Sequence, residues 1–258
     1  MKKAARKTTR ISGYDADRIT VRGRDLVGEL MGKLSFSQMV LLQLLGKMPS
    51  RKQAKVLDAV MVTIMEHGLV PSAIVSRLTL YGAPESYQGA IAAGLLGVGD
   101  RFAGTASACG RILEGLAAVA DRQRTTAAIG IVRAHRESKK PIPGFGHPIH
   151  RRGDPRVRRL IAIAKEAGVE GSHLRALGAL ERAVRQEYGK KLVTNVSAAI
   201  AAALGEAGVP ANAMRGIVLT ARCAGLAGHL HEEMQAPVAD TIWHEVEKQI
   251  RYAPDGNT

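Results

Sequence analysis

The run Pro143-Gly144-Phe145-Gly146-His147-Pro148-Ile149-His150-Arg151-Arg152-Gly153-Asp154-Pro155-Arg156 concentrates the residue types that handle an anionic, oxygen-bearing ligand. Two glycines flank Phe145 and permit positive φ and a close approach of backbone to ligand. His147 can hydrogen-bond or protonate an oxygen near neutral pH. Arg151, Arg152 and Arg156 follow, each a planar fork suited to carboxylate or phosphate. The pattern reads as a loop that holds an anion and polarises one of its oxygens. On composition alone, a basic interdomain loop is the simpler reading.

Other residues invite weaker readings. Glu66-His67-Gly68 ends one helical pattern, where a histidine can simply complement the negative helix end. Asp100-Arg101 suggests an acid–base pair, but adjacent residues on a helical path point apart, so each needs another partner. Ser197 follows Asn195 at the start of a helical run and suits an N-cap. Arg222 stands among small apolar neighbours, from Thr220-Ala221 to Cys223-Ala224-Gly225, which favours a partly buried, directed side chain over a surface one. His229 and His231, two apart, cannot share a helix face as metal ligands, so a structural or interface role is expected. HExxH, CxxC, GxxxxGK[ST] and GxSxG are all missing from the sequence.

The elements that must position these residues are helical. Apolar spacing predicts helices over 37–45, 52–66, from Pro71 to about 80, 86–98, 105–119, 125–138, 155–167, 172–188, 194–206, 212–233 and 238–251. Pro71 occupies the favoured first helical position. Residues 10–22 read as two short extended pieces around a polar turn, a short N-terminal β-hairpin. The expected fold class is therefore all-α. Small residues in 86–98 permit close interhelical packing.

Composition bounds the function. The 258 residues suffice for one large core or two modest ones. Aromatics are only 3%, so aliphatic and alanine side chains must fill the core, and a stacking platform for single-stranded nucleic acid is disfavoured. A net charge of +14, from 37 basic and 23 acidic residues, attracts nucleic acid, an anionic membrane surface, or a phosphorylated cofactor with a polycarboxylate. No apolar stretch follows the basic cluster Lys2 to Lys7, so a secretory signal is not expected there, and no apolar run approaches membrane-spanning length. Cys109 and Cys223, far apart, read as reduced thiols of a cytoplasmic protein.

The order P-G-F-G-H-P-x-x-R-x-x-D-P-R closely resembles the signature loop of the citrate synthase superfamily, in particular its citryl-CoA lyases and the lyase module of ATP-citrate lyase. That resemblance implies a large helical domain over 1–105 and 196–258 with a smaller inserted CoA-binding domain over 106–195, and an active site in the cleft. It implies that Gly144, Phe145, Gly146 and Arg151 bind coenzyme A, that His147 contacts the substrate oxygen and that Arg156 holds a carboxylate. Glu66-His67-Gly68 with Pro71-Ser72-Ala73 matches the substrate-binding segment, which gives His67 a substrate-oxygen role. Thr220 to His229 is similar to the arginine-bearing helix, which makes Arg222 a carboxylate ligand.

Three departures stand out against that pattern. Ala103 occupies the position at which citrate synthases carry a thioester-polarising histidine; G-D-R-F-x-G is instead the lyase form. Leu192 to Ser197 matches L-x-x-N-V-D, but the catalytic aspartate of the family is Ser197 here, and a serine is no carboxylate base without activation by a neighbour. The stretch Glu232 to Pro237 lacks the arginine that many members send across the dimer. The implied chemistry is reversible cleavage of a 3-hydroxy-3-carboxyacyl-CoA to acetyl-CoA and a 2-oxo acid. A coenzyme A thioester is then the substrate, and neither metal, nucleic acid nor membrane is involved. The resemblance also implies a homodimer or higher homo-oligomer, with the 86–98 helix suited to subunit contact. Two alternatives remain: a catalytically impaired or altered-substrate acyl-CoA-binding homologue, motivated by Ser197 and Ala103, and a helical nucleic-acid binder, motivated by charge but lacking a basic recognition helix.

Overall fold

Three short antiparallel strands open the chain: β1 (Ser12–Tyr14), β2 (Ile19–Val21) and β3 (Arg24–Asp25). The computed structural model describes residues 7–146, 153–169, 171–190 and 192–253, and only the backbone of Arg101 and Phe102. Ser12 pairs with Val21, and Val21 with Arg24. The expected hairpin thus gains a third strand. Arg22 and Gly23 both adopt left-handed backbone (φ 51° and 77°), the two-residue turn whose twist suits a hairpin. A π-helical turn over Leu26–Leu30 follows, capped by Asp25, and buries Leu30 with Val21 and Leu42.

The remaining elements among the described residues are eleven α-helices and a second π-helical turn over Asp100–Gly104. The helices are α1 (Phe36–Leu45), α2 (Arg51–Met65), α3 (Pro71–Gly82), α4 (Tyr87–Leu96), α5 (Thr105–Ala118) and α6 (Asp121–Glu137). After the loop come α7 (Pro155–Glu166), α8 (Ser172–Tyr188), α9 (Val196–Glu206), α10 (Ala211–Gln235) and α11 (Ala239–Gln249). Their starts are written locally. Ser35 with Gln38 and Ser50 with Gln53 form reciprocal capping boxes. Asp154 caps α7 ahead of Pro155, and Asn195 caps α9. The N-cap expected of Ser197 therefore belongs to Asn195, and Ser197 lies in the first helical turn. Helix α6 starts at Asp121, four residues earlier than the apolar pattern indicates. Arg124 in its first turn is buried and donates to the Leu116 and Val119 carbonyls at the end of α5.

Helix α9 runs through the middle of the molecule. Ala198 to Gly205 are all buried, and α5, α8, α7 and α2 pack around it. Alanine makes it a thin rod, so its neighbours come close without aromatic filler. The buried core is accordingly Leu, Val, Ile, Ala, Met and Cys109, with Phe145 and Tyr188 only at its margin. Helix α10, about 37 Å long at 1.5 Å per residue, packs against α2, α3, α4 and α5. The small face of α4 is used inside the chain. A Cβ at Gly94 would stand 2.8–2.9 Å from Leu226, the Ser72 carbonyl and Ser76.

Candidate functional site

Two places bring the chemistry-bearing residues together. The first is where the C-terminus of α2 meets the middle of α10. Gly225 makes this contact: a Cβ there would lie 2.2 Å from the Met65 carbonyl oxygen. Any side chain would push the two elements apart, so glycine fixes how near α2 ends to α10. At that end Glu66 leaves the helix in extended conformation. Its Oε1 accepts the backbone N–H groups of His67 and Gly68, both at 2.7 Å, and contacts His229 Nε2 at 2.9 Å. Gly68 takes the left-handed φ of 71° that the turn requires. His67 is thereby presented, exposed, at the tip of a turn pinned by its neighbour's carboxylate.

Arg222 lies on α10 three residues before Gly225, nearly one helical turn. It is only 8% exposed, and its buried Nη1 has no hydrogen-bond partner among the described residues. Burial pulls the guanidinium below its ordinary pKa, and the charge of Glu66 opposes that pull. Burial also pushes Glu66 upward. The hydrogen bonds from His229, His67 and Gly68 outweigh it and hold the carboxyl below its ordinary value.

His229 is not a surface histidine. Its Nδ1 receives Arg77 Nε at 3.1 Å and lies 2.9 Å from Arg77 Nη2. Arg77 can only donate, so Nδ1 is the acceptor and Nε2 carries the hydrogen that reaches Glu66. Arg77 is 1% exposed and donates from Nη1 to Glu233 Oε2 at 2.7 Å and from Nη2 to Glu232. Burial alone would lower its pKa, but these two carboxylates raise it overall. The other Glu233 oxygen accepts the Val238 and Ala239 N–H groups at the start of α11. Glu232 and Glu233 thus neutralise an internal arginine in the stretch that lacks the family's additional arginine. Sequence reasoning missed Arg77 and Glu233. His231 stays on the surface beside Gln235.

The second place is the loop ahead of α7. Gly144, with φ 90°, lies on α9 and α5: a Cβ there would be 2.7 Å from Ala198 Cβ and 2.9 Å from Cys109 Sγ. Phe145 bridges antiparallel to Thr194. Asn195 ties the loop to the start of α9. Its N–H donates to the Gly144 carbonyl at 2.9 Å, its Nδ2 to the Gly146 carbonyl at 3.0 Å, and its Oδ1 accepts the Ser197 N–H at 3.0 Å. Gly144, Phe145 and Asn195 line a cavity of about 400 Å³ together with Asp100, Thr105 and Arg111. Beneath it, burial pushes the Cys109 thiol up to about 12, so it stays protonated.

Asp100 pairs with Arg215 of α10 at 2.6 Å. Ala103 is buried. Arg156 is engaged by the cap of its own helix: Nε lies 3.0 Å from Asp154 Oδ1 and Nη2 2.9 Å from Oδ2. His147 and Arg151 lie outside the described residues. Among the described residues no cluster of three His, Cys, Asp or Glu side chains is placed to hold a metal ion, and no helix is long and apolar enough to cross a membrane.

Residues 4–244 match the family model for the citrate synthase C-terminal domain. Citrate synthase from Heyndrickxia coagulans is 26% identical over 204 residues, 78% of this chain and 52% of its own length. The chain spans about half the length of the curated relatives it matches. Among solved structures, citryl-CoA lyase from Hydrogenobacter thermophilus superposes with a TM-score of 0.85 at 29% identity, covering 98% of this chain and 96% of the other. ATP citrate lyase from Methanothrix soehngenii, in complex with citrate and coenzyme A, gives a TM-score of 0.77 at 20% identity, covering 98% of this chain and 42% of the other.

Proposed function

The chain belongs to the citrate synthase family, and on that premise we propose that it reversibly cleaves a 3-hydroxy-3-carboxyacyl-CoA, citryl-CoA being the reference substrate, to acetyl-CoA and a 2-oxo acid. The observation that carries this reading is the buried, unpartnered Nη1 of Arg222 beside the Glu66–His67 turn. A desolvated cation without a partner is costly and calls for an anionic ligand. A substrate carboxylate supplies one in bidentate form. The likeness to citryl-CoA lyase over nearly the whole of both chains supports the lyase direction.

In cleavage, the 3-hydroxyl loses its proton and the bond to the acetyl carbon breaks. The electron pair passes to the thioester as an enolate, which takes a proton at carbon to become acetyl-CoA. His67 and His147 are assigned to the substrate oxygen, and Arg222 and Arg156 to carboxylate. The 143–151 loop, with Gly144, Phe145, Gly146 and Arg151, is assigned to coenzyme A. Arg156 serves only if the incoming carboxylate shares it with Asp154 or displaces that cap. Ser197, in place of the family's aspartate, can hydrogen-bond an enolate oxygen but supplies no carboxylate. Orientation and electrostatic stabilisation then account for most of the rate. The same reading divides the chain at 106–195 into a smaller CoA-binding part and has the protein act as a cytoplasmic homo-oligomer.

Ser197 together with Ala103 favours one second reading, an acyl-CoA-binding homologue of impaired or altered catalysis. Deuterium exchange into the acetyl methyl of acetyl-CoA separates the two. Exchange by the parent, raised in Ser197→Asp, supports the enzyme. CoA binding without exchange in either protein supports the binder.

A further inference from the structure

The carboxylate of Glu66 is the anionic group whose charge reaches Arg222, and a Cβ at Gly225, one turn along α10, would be 3.1 Å from its Oε2. A carboxylate so placed is the natural partner for a buried guanidinium. Yet Arg222 Nη1 has no partner among the described residues. The reason lies in what else Glu66 holds: the two backbone N–H groups of the turn and the His229 ring all converge on its Oε1 and fix the plane of the carboxylate.

We infer that His229 is a positioning residue which holds the Glu66 carboxylate off Arg222 and so keeps the arginine open for substrate. The inference rests on the reading of Arg222 as a carboxylate ligand. The His229 ring can perform this task because it is itself fixed. Arg77 donates to Nδ1 from two nitrogens, which leaves Nε2 as the protonated nitrogen facing Glu66. Arg77 is in turn anchored by Glu233 and Glu232. The same Glu233 receives the N–H groups of Val238 and Ala239, so the chain of contacts runs from the start of α11 to the tip of α2.

The arrangement explains why a buried arginine, a histidine and three carboxylates converge where the substrate reading needs only His67 and Arg222. Without the His229 donor, Oε1 keeps its two backbone bonds at most, and the carboxylate is free to rotate toward the nearest uncompensated cation. A closed Glu66–Arg222 pair would then compete with every incoming carboxylate.

The test uses the full chain and two probes, citrate and oxaloacetate. His229→Leu removes both ring nitrogens and keeps bulk. Its crystal structure is expected to show a Glu66 oxygen within hydrogen-bond distance of Arg222 Nη1, and calorimetry a weakening of citrate binding of about tenfold, the equivalent of one charge-assisted hydrogen bond. His229→Gln, whose amide both donates and accepts, is expected to restore most of the affinity. So is Glu66→Gln in the His229→Leu background, because a neutral amide competes poorly for the arginine. A purely structural histidine would not be rescued by a second change at Glu66.

A His229→Leu structure in which Glu66 stays on its turn and Nη1 stays unpaired overturns the inference. So does a loss of affinity that Glu66→Gln leaves unchanged. If His229→Leu does not fold, nitrogen chemical shifts of the parent histidines decide: a His229 ring protonated at Nε2 and bare at Nδ1 is expected, and the opposite tautomer overturns the proposal. A parent that binds neither probe removes the carboxylate-site reading, while the His229→Leu structure still decides what holds Glu66.

Discussion

Arg222 keeps its Nη1 buried and unpaired among the described residues, which costs the free protein stability. Replacing it with methionine relieves that cost. Arg222→Met is expected to raise folding stability by about 1–2 kcal/mol while abolishing citrate binding; denaturant unfolding and calorimetry on the same preparation check both halves. A variant less stable than the parent would mean that the arginine is already compensated. Glu66 carries a pH signature. Its folded pKa lies below the ordinary value of 4.5, so its contribution to stability is present above that value and is lost as pH falls through the depressed one. Denaturation curves from about pH 6 to about pH 3 should fall more steeply for the parent than for Glu66→Gln. The difference will be modest because the side chain is half-exposed. At this scale the sequence was legible for Arg222, whose small apolar neighbours signalled a directed side chain. It was silent on Arg77, because Arg77 and His229 are 152 residues apart and isolated charged positions on two helices follow no period.

The helices are where sequence and structure agree best, because their ends carry explicit signals. Ser35, Ser50, Pro71, Asp154 with Pro155, and Asn195 each mark a start. The third strand and the π-helical turn over Leu26–Leu30 were not legible, since two-residue pairing and a five-residue turn leave no alternation to count. The start of α6 was missed because Asp121 to Arg124 look like a polar connection, whereas Arg124 turns inward to finish α5. The spacing of α2 from α10 makes a direct prediction. Gly225→Ala should destabilise the protein by about 1–3 kcal/mol through overpacking and weaken citrate binding by moving the Glu66–His67 turn. A methyl group added at Gly228, on the same helix, would meet nothing within 4 Å, so Gly228→Ala should be neutral or stabilising by about 0.5–1 kcal/mol. Equal effects at the two positions, read by thermal unfolding, would contradict the packing account.

Taken whole, the molecule combines an almost aromatic-free helical core with a net charge of +14. The first follows from α9: its alanines let neighbouring helices pack close, so aliphatic side chains fill the interior. The second is a long-range field that favours polyanionic ligands and is screened by salt. Coenzyme A binding should therefore weaken steadily as ionic strength rises, with most of the change in the association rate; an affinity indifferent to salt in stopped-flow measurements would detach the charge from ligand capture. Helical class and family were legible in the sequence because periodicity and the Gly144–Arg156 run are local. The convergence of α2, α10 and α3 on one charged network was not, because it depends on packing. The central claim is that this scaffold breaks a carbon–carbon bond in an acyl-CoA whose carboxylate Arg222 holds. Its most direct test is formation of acetyl-CoA and oxaloacetate from citryl-CoA by the parent and by Arg222→Met under identical conditions. The account predicts turnover by the parent and at least about a hundredfold loss in the variant, the cost of a buried charged contact. Equal rates in the two proteins, or no turnover with citryl-CoA left intact by the parent, would contradict it.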